Sequence, residues 1–406
     1  MRILWLRADY LFPLTTGSRN RSFSLLKRIC HEAELVYAGY SPIHGEQSDE
    51  ALSCCVKSLH CIPKDIETTR GTEIYLRVAA NVLSRYPFFA RRSSSPELRE
   101  YLAGIIAEKH FDLLLCDGLD ASLNVDFSWK LPKVLFHHSI ETPLWRQRYE
   151  SATNIVQRTY FNYETKRTAA FESDMCNRFD SVITSSDRDR DALVGEYHVT
   201  RPISVVPIGV DCSYFKPDPA FKTIPHRLVF SGKMDLLSNI DQLLWFVSEI
   251  YPLVRHRFPD ITFDIVGRNP ASEIVALGQK DRSIRVTGWL EDIRPYVGQA
   301  DIFVVPLRVP GGTRVKLYEA MALQRPVVST SYGAEGLEVV ANRDLLIADT
   351  PREFAGEIIG LLENPQRKME LAERGWRMVN ANCDWSARAG QFFDVLRACA
   401  ALPIPD

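Results

Sequence analysis

The sequence predicts an α/β chain made of two Rossmann-like, doubly wound domains that face each other across a cleft. Three observations lead there. The chain has 406 residues, 46% of them hydrophobic, more than one ordinary core holds. Short apolar runs recur along it, each followed by a helical stretch. A proline-rich break falls near the middle.

The apolar runs form two series. The first is RILWL (2–6), ELVYAGY (34–40), a weaker SLHCI (58–62), DLLLCD (112–117), KVLFHH (133–138) and SVITSS (181–186). Val, Ile, Leu and Phe fill these runs with little alternation. Strands that are apolar on both sides belong in a parallel sheet covered by helices on both faces. ISVVPIGVD (203–211) and the proline-rich YFKPDPAFKTIPHR (214–227) then read as a linker. The second series is RLVFSG (227–232), ITFDIVG (261–267), IRVTGW (284–289), DIFVVPL (301–307), RPVVST (325–330) and DLLIAD (344–349). The expected domains are residues 1–208 and 209–385. The amphipathic tail, 386–406, is expected to pack back on the first domain. Ligands of such sheets bind at the carboxyl ends of the strands, and a two-domain version encloses them between the domains.

Composition narrows the function. The net charge is -2, and the halves are balanced: 26 Lys and Arg against 26 Asp and Glu up to residue 208, then 23 against 25. No basic domain emerges, so nucleic acid is not an expected partner. Nine scattered cysteines with no CxxC pair suggest neither a zinc site nor a disulfide framework, but reduced thiols in a cytoplasm. MRILWLRADY reads as a first strand rather than a signal peptide. No apolar run approaches the ~18 residues that span a bilayer.

The most informative stretch is PLRVPGGTRVKLYEAMALQRPVVST (306–330). A buried strand leads into Gly311, Gly312 and Thr313, a turn whose backbone can approach a ligand closely. A helix is expected to start near Arg314 or Val315. Its free amides favour an anion, and Arg314 and Lys316 add charge-assisted bonds to phosphate. Glu319 lies further along the same helix. A carboxylate there does not assist phosphate binding, but it accepts paired hydrogen bonds from vicinal hydroxyls such as those of a ribose. Phosphate donors beside a diol acceptor suit a nucleoside diphosphate. A capped surface helix with Glu319 facing water fits the same letters.

At these residues the chain resembles a GT-B glycosyltransferase of family 4, of the bacterial exopolysaccharide and cell-surface sugar transferase type. GTRVKLYEAMALQRPVVST, VFSGKMDLLSNIDQLLWF (229–246), FDIVGRNP, VTGWLEDIRPYVGQAD and VPIGVD match that family in order over essentially the whole chain. The resemblance implies an acceptor-side first domain and a nucleotide-sugar-binding second domain. It implies an EC 2.4 enzyme that moves a sugar from a nucleotide-diphosphate sugar to a saccharide or lipid-linked acceptor, in polysaccharide or glycoconjugate synthesis. It further implies retention of configuration without a metal or other cofactor, with the leaving phosphate drawing the acceptor's proton.

The resemblance also assigns residues. Glu319 holds the ribose. The family's first glutamate, seven residues earlier than a second one, would fall near the turn at Gly311, where none stands, so backbone groups of Gly311, Gly312 and Thr313 replace it. Gly232 ends a strand and Lys233 follows it as the first cation on the diphosphate. The second cation position is Asn239, so Arg314 or Lys316 supplies that charge. Gly17, on the loop after the first strand, closes over the donor, with Arg21 beside it. His138, in HHSIE, binds the transferred sugar or the diphosphate, or helps move a proton. His137 points away into packing. Arg268 lies near the base, and Glu335 near the mouth. Glu172 is structural, fixing the SSD strand end, and Asp117 ends a strand without an assigned partner. His138, Lys233 and Glu319 are the catalytic candidates. The apolar and basic TEIYLRVAANVLSRYPFFARR (72–92) raises a peripheral contact with the inner face of a membrane. Two alternatives stay open: a sugar-nucleotide epimerase, and a non-catalytic binding protein of the same fold.

Overall fold

The computed structural model describes residues 1–14, 16–42, 49–66, 77–78, 80–309 and 314–401. The chain divides into two compact units. One comprises Met1–Pro207 together with the segment from Arg388 onward, and the other comprises Ile208–Ala387.

The first unit is built on a seven-stranded sheet with the order β3-β2-β1-β4-β5-β6-β7. Its strands are β1 (Arg2–Arg7), β2 (Glu34–Ser41), β3 (Ser58–Pro63), β4 (Leu113–Asp117), β5 (Lys133–Phe136), β6 (Ser181–Thr184) and β7 (Ile203–Val205). Every neighbouring pair is parallel. All five residues of β4 are buried, as a strand covered on both faces requires. The strand order reverses between β1 and β4, which opens a crevice at their carboxyl ends.

β7 departs from the expected linker. Residues 203–205 are a strand of the first sheet, paired with β6. The strand is short, half-buried and followed by Pro207, so its local letters resemble a connection.

The second unit carries a six-stranded parallel sheet, β10-β9-β8-β11-β12-β13. Its strands are β8 (Arg227–Ser231), β9 (Thr262–Val266), β10 (Ile284–Val286), β11 (Ile302–Val305), β12 (Val327–Ser329) and β13 (Leu346–Ile347). The order repeats that of the first unit, with its reversal between β8 and β11. One apolar cluster gathers around Phe230, Phe246, Phe263 and Phe354, and another around Phe303, Leu317, Met321 and Val379.

The last helix, Trp385–Ala400, contributes to the first unit. Phe392 is fully buried there, its ring centroid 4.9 Å from that of Phe136 and 6.1 Å from that of Trp5. All nine cysteines are free thiols. Among the described residues no helix is long and apolar enough to cross a membrane.

Candidate functional site

In the first unit, polar side chains converge where β1, β4 and β5 end. Arg7 and Asp117 are register partners at the ends of β1 and β4. Asp117 is buried and accepts four donors. Its Oδ2 accepts from Trp5 Nε1 at 2.8 Å and pairs with Arg7 Nη1 at 3.1 Å. Its Oδ1 accepts from Ser22 Oγ at 2.9 Å and lies 2.6 Å from His138 Nε2. Burial works to raise the Asp117 pKa, but Arg7, His138 and Trp5 outweigh it and hold the carboxylate well below its ordinary range. Burial pushes His138 down to about 4, with Asp117 opposing and Arg21 and Arg7 adding to the depression. The imidazole is therefore neutral near pH 7.

The loop carrying His138 is pinned on both sides. Ser185 Oγ donates to the His138 carbonyl at 3.1 Å. The fully buried Glu172 accepts from the Glu141 amide at 2.6 Å and from the Thr142 amide at 3.1 Å, and it also takes the Thr142 hydroxyl. Glu172 thus caps the helix Thr142–Ser151 instead of fixing the SSD strand end. An N-terminal helix amide is a stronger magnet for a buried carboxylate than a paired strand end. His137 is buried, 3.4 Å from Glu172.

Helix Gly17–Ile29 begins after β1, capped by Thr16, whose side chain accepts from the Arg19 amide. Arg21 departs from the expected donor contact. It is 2% exposed, its Nη2 donates to the carbonyls of Thr184 and Val206, and its guanidinium lies over Phe136. It ties the ends of β6 and β7 to the helix. Sequence reasoning passed over Arg19, which makes two 3.0 Å contacts to Asp9. It also passed over Asp120, whose carboxyl is pushed up to about 7 by burial and by Asp9. The available signal was position: both acids stand just past a strand's carboxyl end.

In the second unit the loops after β8 and β9 are locked together. Gly232 N–H donates to Val266 O at 2.9 Å, and Met234 N–H to Arg268 O at 3.0 Å. Gly267 has φ 151°, and a Cβ there would sit 1.7 Å from the Gly232 carbonyl oxygen. Only glycine permits that crossing. It places Lys233, which is exposed, and Arg268, which is half-buried, at the carboxyl edge of the sheet.

The helix Val315–Ala322 follows β11. Gly311, Gly312 and Thr313 lie outside the described residues. Arg314 is engaged by Glu335, donating to its carboxylate at 2.6 Å and to its carbonyl. Lys316 reaches the other way. Its ammonium is 3.4 Å from Asn239 Oδ1 and 4.1 Å from the centroid of the Phe230 ring. A Cβ on Gly232 would lie 3.3 Å from it. Asn239, 7% exposed, also donates to the Lys233 carbonyl at 2.7 Å. Of the two cations at this turn, Lys316 thus stands beside Asn239, while Arg314 is held by Glu335.

Glu319 is half-buried on the same helix as Lys316. Burial pushes its carboxyl up to about 7, with Lys316 opposing. Burial likewise pushes the Lys316 ammonium down to about 7, with Glu319 opposing. Partial burial thus works against both charges, a pattern typical of ligand sites.

Comparison with known proteins identifies the family and the fold. The family described as Glycosyltransferase Family 4 matches residues 58–214, and that described as Glycosyl transferases group 1 matches residues 225–364. A 44.6 kDa protein in the cps region of Klebsiella pneumoniae is 24% identical over 94% of this chain and 96% of its own length. A GDP-mannose-dependent alpha-(1-6)-phosphatidylinositol monomannoside mannosyltransferase of Mycobacterium tuberculosis is 24% identical over 54% of this chain and 62% of its own. Among solved structures, Anabaena Alr3699/HepE in complex with UDP superposes with a TM-score of 0.66 at 15% identity, covering 98% of this chain and 100% of that one. Sucrose-phosphate synthase from Thermosynechococcus elongatus does so with 0.68 at 17% identity, over 98% of each chain. The chain belongs to the family 4 glycosyltransferases and has their GT-B fold.

Proposed function

We propose that the chain transfers a glycosyl unit from a nucleoside-diphosphate sugar to a saccharide or lipid-linked acceptor in polysaccharide or glycoconjugate synthesis. The observation that carries the reading is the placement of Lys316 beside Gly232 and Asn239, with Glu319 on the same helix. Lys316, Lys233 and the amides of the helix Val315–Ala322 receive the diphosphate, and Glu319 accepts the ribose hydroxyls. Arg268 lies toward the base. Gly17 and His138 serve the sugar and acceptor side.

In the reaction the bond from the sugar C1 to the β-phosphate oxygen breaks as the acceptor oxygen bonds to C1. The acceptor's proton passes to the departing phosphate oxygen, and the configuration at C1 is retained. The cations and helix amides offset the charge that develops on the leaving group, so a divalent metal is not required. The setting is the cytoplasm. Val82 and Leu83, 41% and 96% exposed beside Arg85, support a peripheral contact with the inner face of the membrane. Residues 72–76 and 79 of that apolar and basic segment lie outside the described residues.

The test is a thermal-shift panel of UDP, GDP, ADP and dTDP with their common sugar conjugates, on wild type and Glu319→Ala. One base should raise the melting temperature of the wild type and not of the variant. A folded wild type that shifts with none of them would overturn the reading.

A further inference from the structure

Asp117 has no role in the donor site described above, yet it is among the most heavily bonded side chains of the first unit. Its four donors come from β1, from the helix Gly17–Ile29 and from the loop after β5. The His138 contact is the one with chemical freedom. The other three, Trp5, Arg7 and Ser22, hold the carboxylate in place. A carboxylate 2.6 Å from Nε2 requires the ring proton on that nitrogen. The neutral ring then has a bare lone pair on Nδ1. That atom is buried and has no hydrogen-bond partner among the described residues, while the ring as a whole is 14% exposed. An unmade bond at a buried acceptor is costly, and such a group calls for a partner supplied from elsewhere.

We infer that Asp117 is a positioning residue that fixes the Nε2–H tautomer of His138, so that Nδ1 accepts a hydrogen bond from a hydroxyl of the bound sugar or acceptor. The inference rests on the glycosyltransferase reading, and it separates two roles left open for His138. The charged groups facing the ring are Asp117, Arg7 and Arg21. The two guanidiniums disfavour a second ring proton, and burial does the same. His138 therefore orients a hydroxyl and does not remove its proton.

The experiment is nitrogen NMR on ¹⁵N-histidine-labelled full-length protein, with the His138 signals assigned by their loss in His138→Gln. The expected spectrum has a protonated Nε2 and a bare Nδ1, unchanged from mildly acidic to mildly alkaline pH. An Nδ1–H tautomer, or an imidazolium forming near neutrality, would overturn the inference. Asp117→Asn presents an amide that donates to Nε2 and should move the proton to Nδ1. Hydrolysis of the sugar nucleotide identified by thermal shift should then fall about a hundredfold through lost orientation, with its thermal shift retained. Wild-type hydrolysis in that variant would also overturn the inference. If Asp117→Asn does not fold, the wild-type spectrum decides alone. If no nucleotide shifts the wild type, the donor reading fails while the tautomer is still measured.

Discussion

The side chains at the carboxyl edge of the second sheet set a pH dependence. Lys316 sits at about 7 through burial, and a diphosphate stabilises its charged form. Binding a sugar nucleotide above neutrality therefore takes up a proton, and affinity should weaken by up to about tenfold per pH unit as pH rises from 7. Lys316→Arg should remove that slope, and titration calorimetry in two buffers would measure the proton uptake. Lys316→Ala should weaken binding by roughly 10- to 100-fold, the loss of a hydrogen bond to a charged group. Adding Asn239→Lys to that variant should recover part of the loss. Stability follows a related rule. A lysine depressed by folding costs stability below its folded pKa, and the cost fades as pH rises. A carboxyl raised by folding, as Glu319 is, costs stability above its folded pKa, and the cost fades as pH falls. The ligand-free protein thus pays both penalties near neutrality, and Lys316→Met with Glu319→Gln should gain most melting temperature there. The pairing of Lys316 and Glu319 on one helix after a strand was legible in the sequence because they lie within a few positions of each other. The Asp117 cluster was not. Trp5 and Asp117 are 112 positions apart, and no local pattern announces a pairing across that distance.

At the scale of elements, the turn after β9 shows how a backbone feature shapes a site. The Gly267 backbone crosses under the Gly232 carbonyl, and Thr287 Oγ1 accepts from the Gly267 amide at 3.3 Å. Gly267→Ala should destabilise the second unit by about 3 kcal/mol or more, since a positive φ and a backbone clash add together. It should also abolish the nucleotide-induced thermal shift. Denaturant unfolding followed on tryptophan fluorescence would measure the first effect. A variant that unfolds like wild type would show that the loops can separate. The strands themselves were legible because parallel strands are apolar on both faces, a pattern that needs no partner to be recognised. β7 was not, because three half-buried residues before a proline carry too little of that pattern. The turn at Gly118 was also silent. Its φ of 106° follows Asp117 directly, and nothing in the letters distinguishes it from an ordinary strand end.

For the molecule as a whole, the assignment of Arg388 onward to the first unit matters most. Phe392 is packed between Trp5 and Phe136 with no exposure, so Phe392→Ala should cost about 3–5 kcal/mol through lost burial and a cavity. The loss should fall on the first unit and leave the second intact. Hydrogen exchange resolved by segment would show amides of β1 and β5 opening while those of β8 and β11 do not. Equal loosening of both units would contradict the division. The amphipathic pattern of the tail was legible, but its partners were not, because an apolar helix face does not name the surface it covers.

That same tail orders events during synthesis. The first unit cannot close its core around Trp5 and Phe136 until the helix Trp385–Ala400 has left the ribosome, after every residue of the second unit. The second unit has no such wait. Its first and last segments are joined to each other, Val210 N–H donating to Cys383 O at 2.9 Å and Trp385 N–H to Val210 O at 3.1 Å. Although domains usually fold in the order they are made, the half made first here is completed last. A ribosome stalled just short of residue 385 would hold a nascent chain whose amino-terminal half still lacks its final core helix.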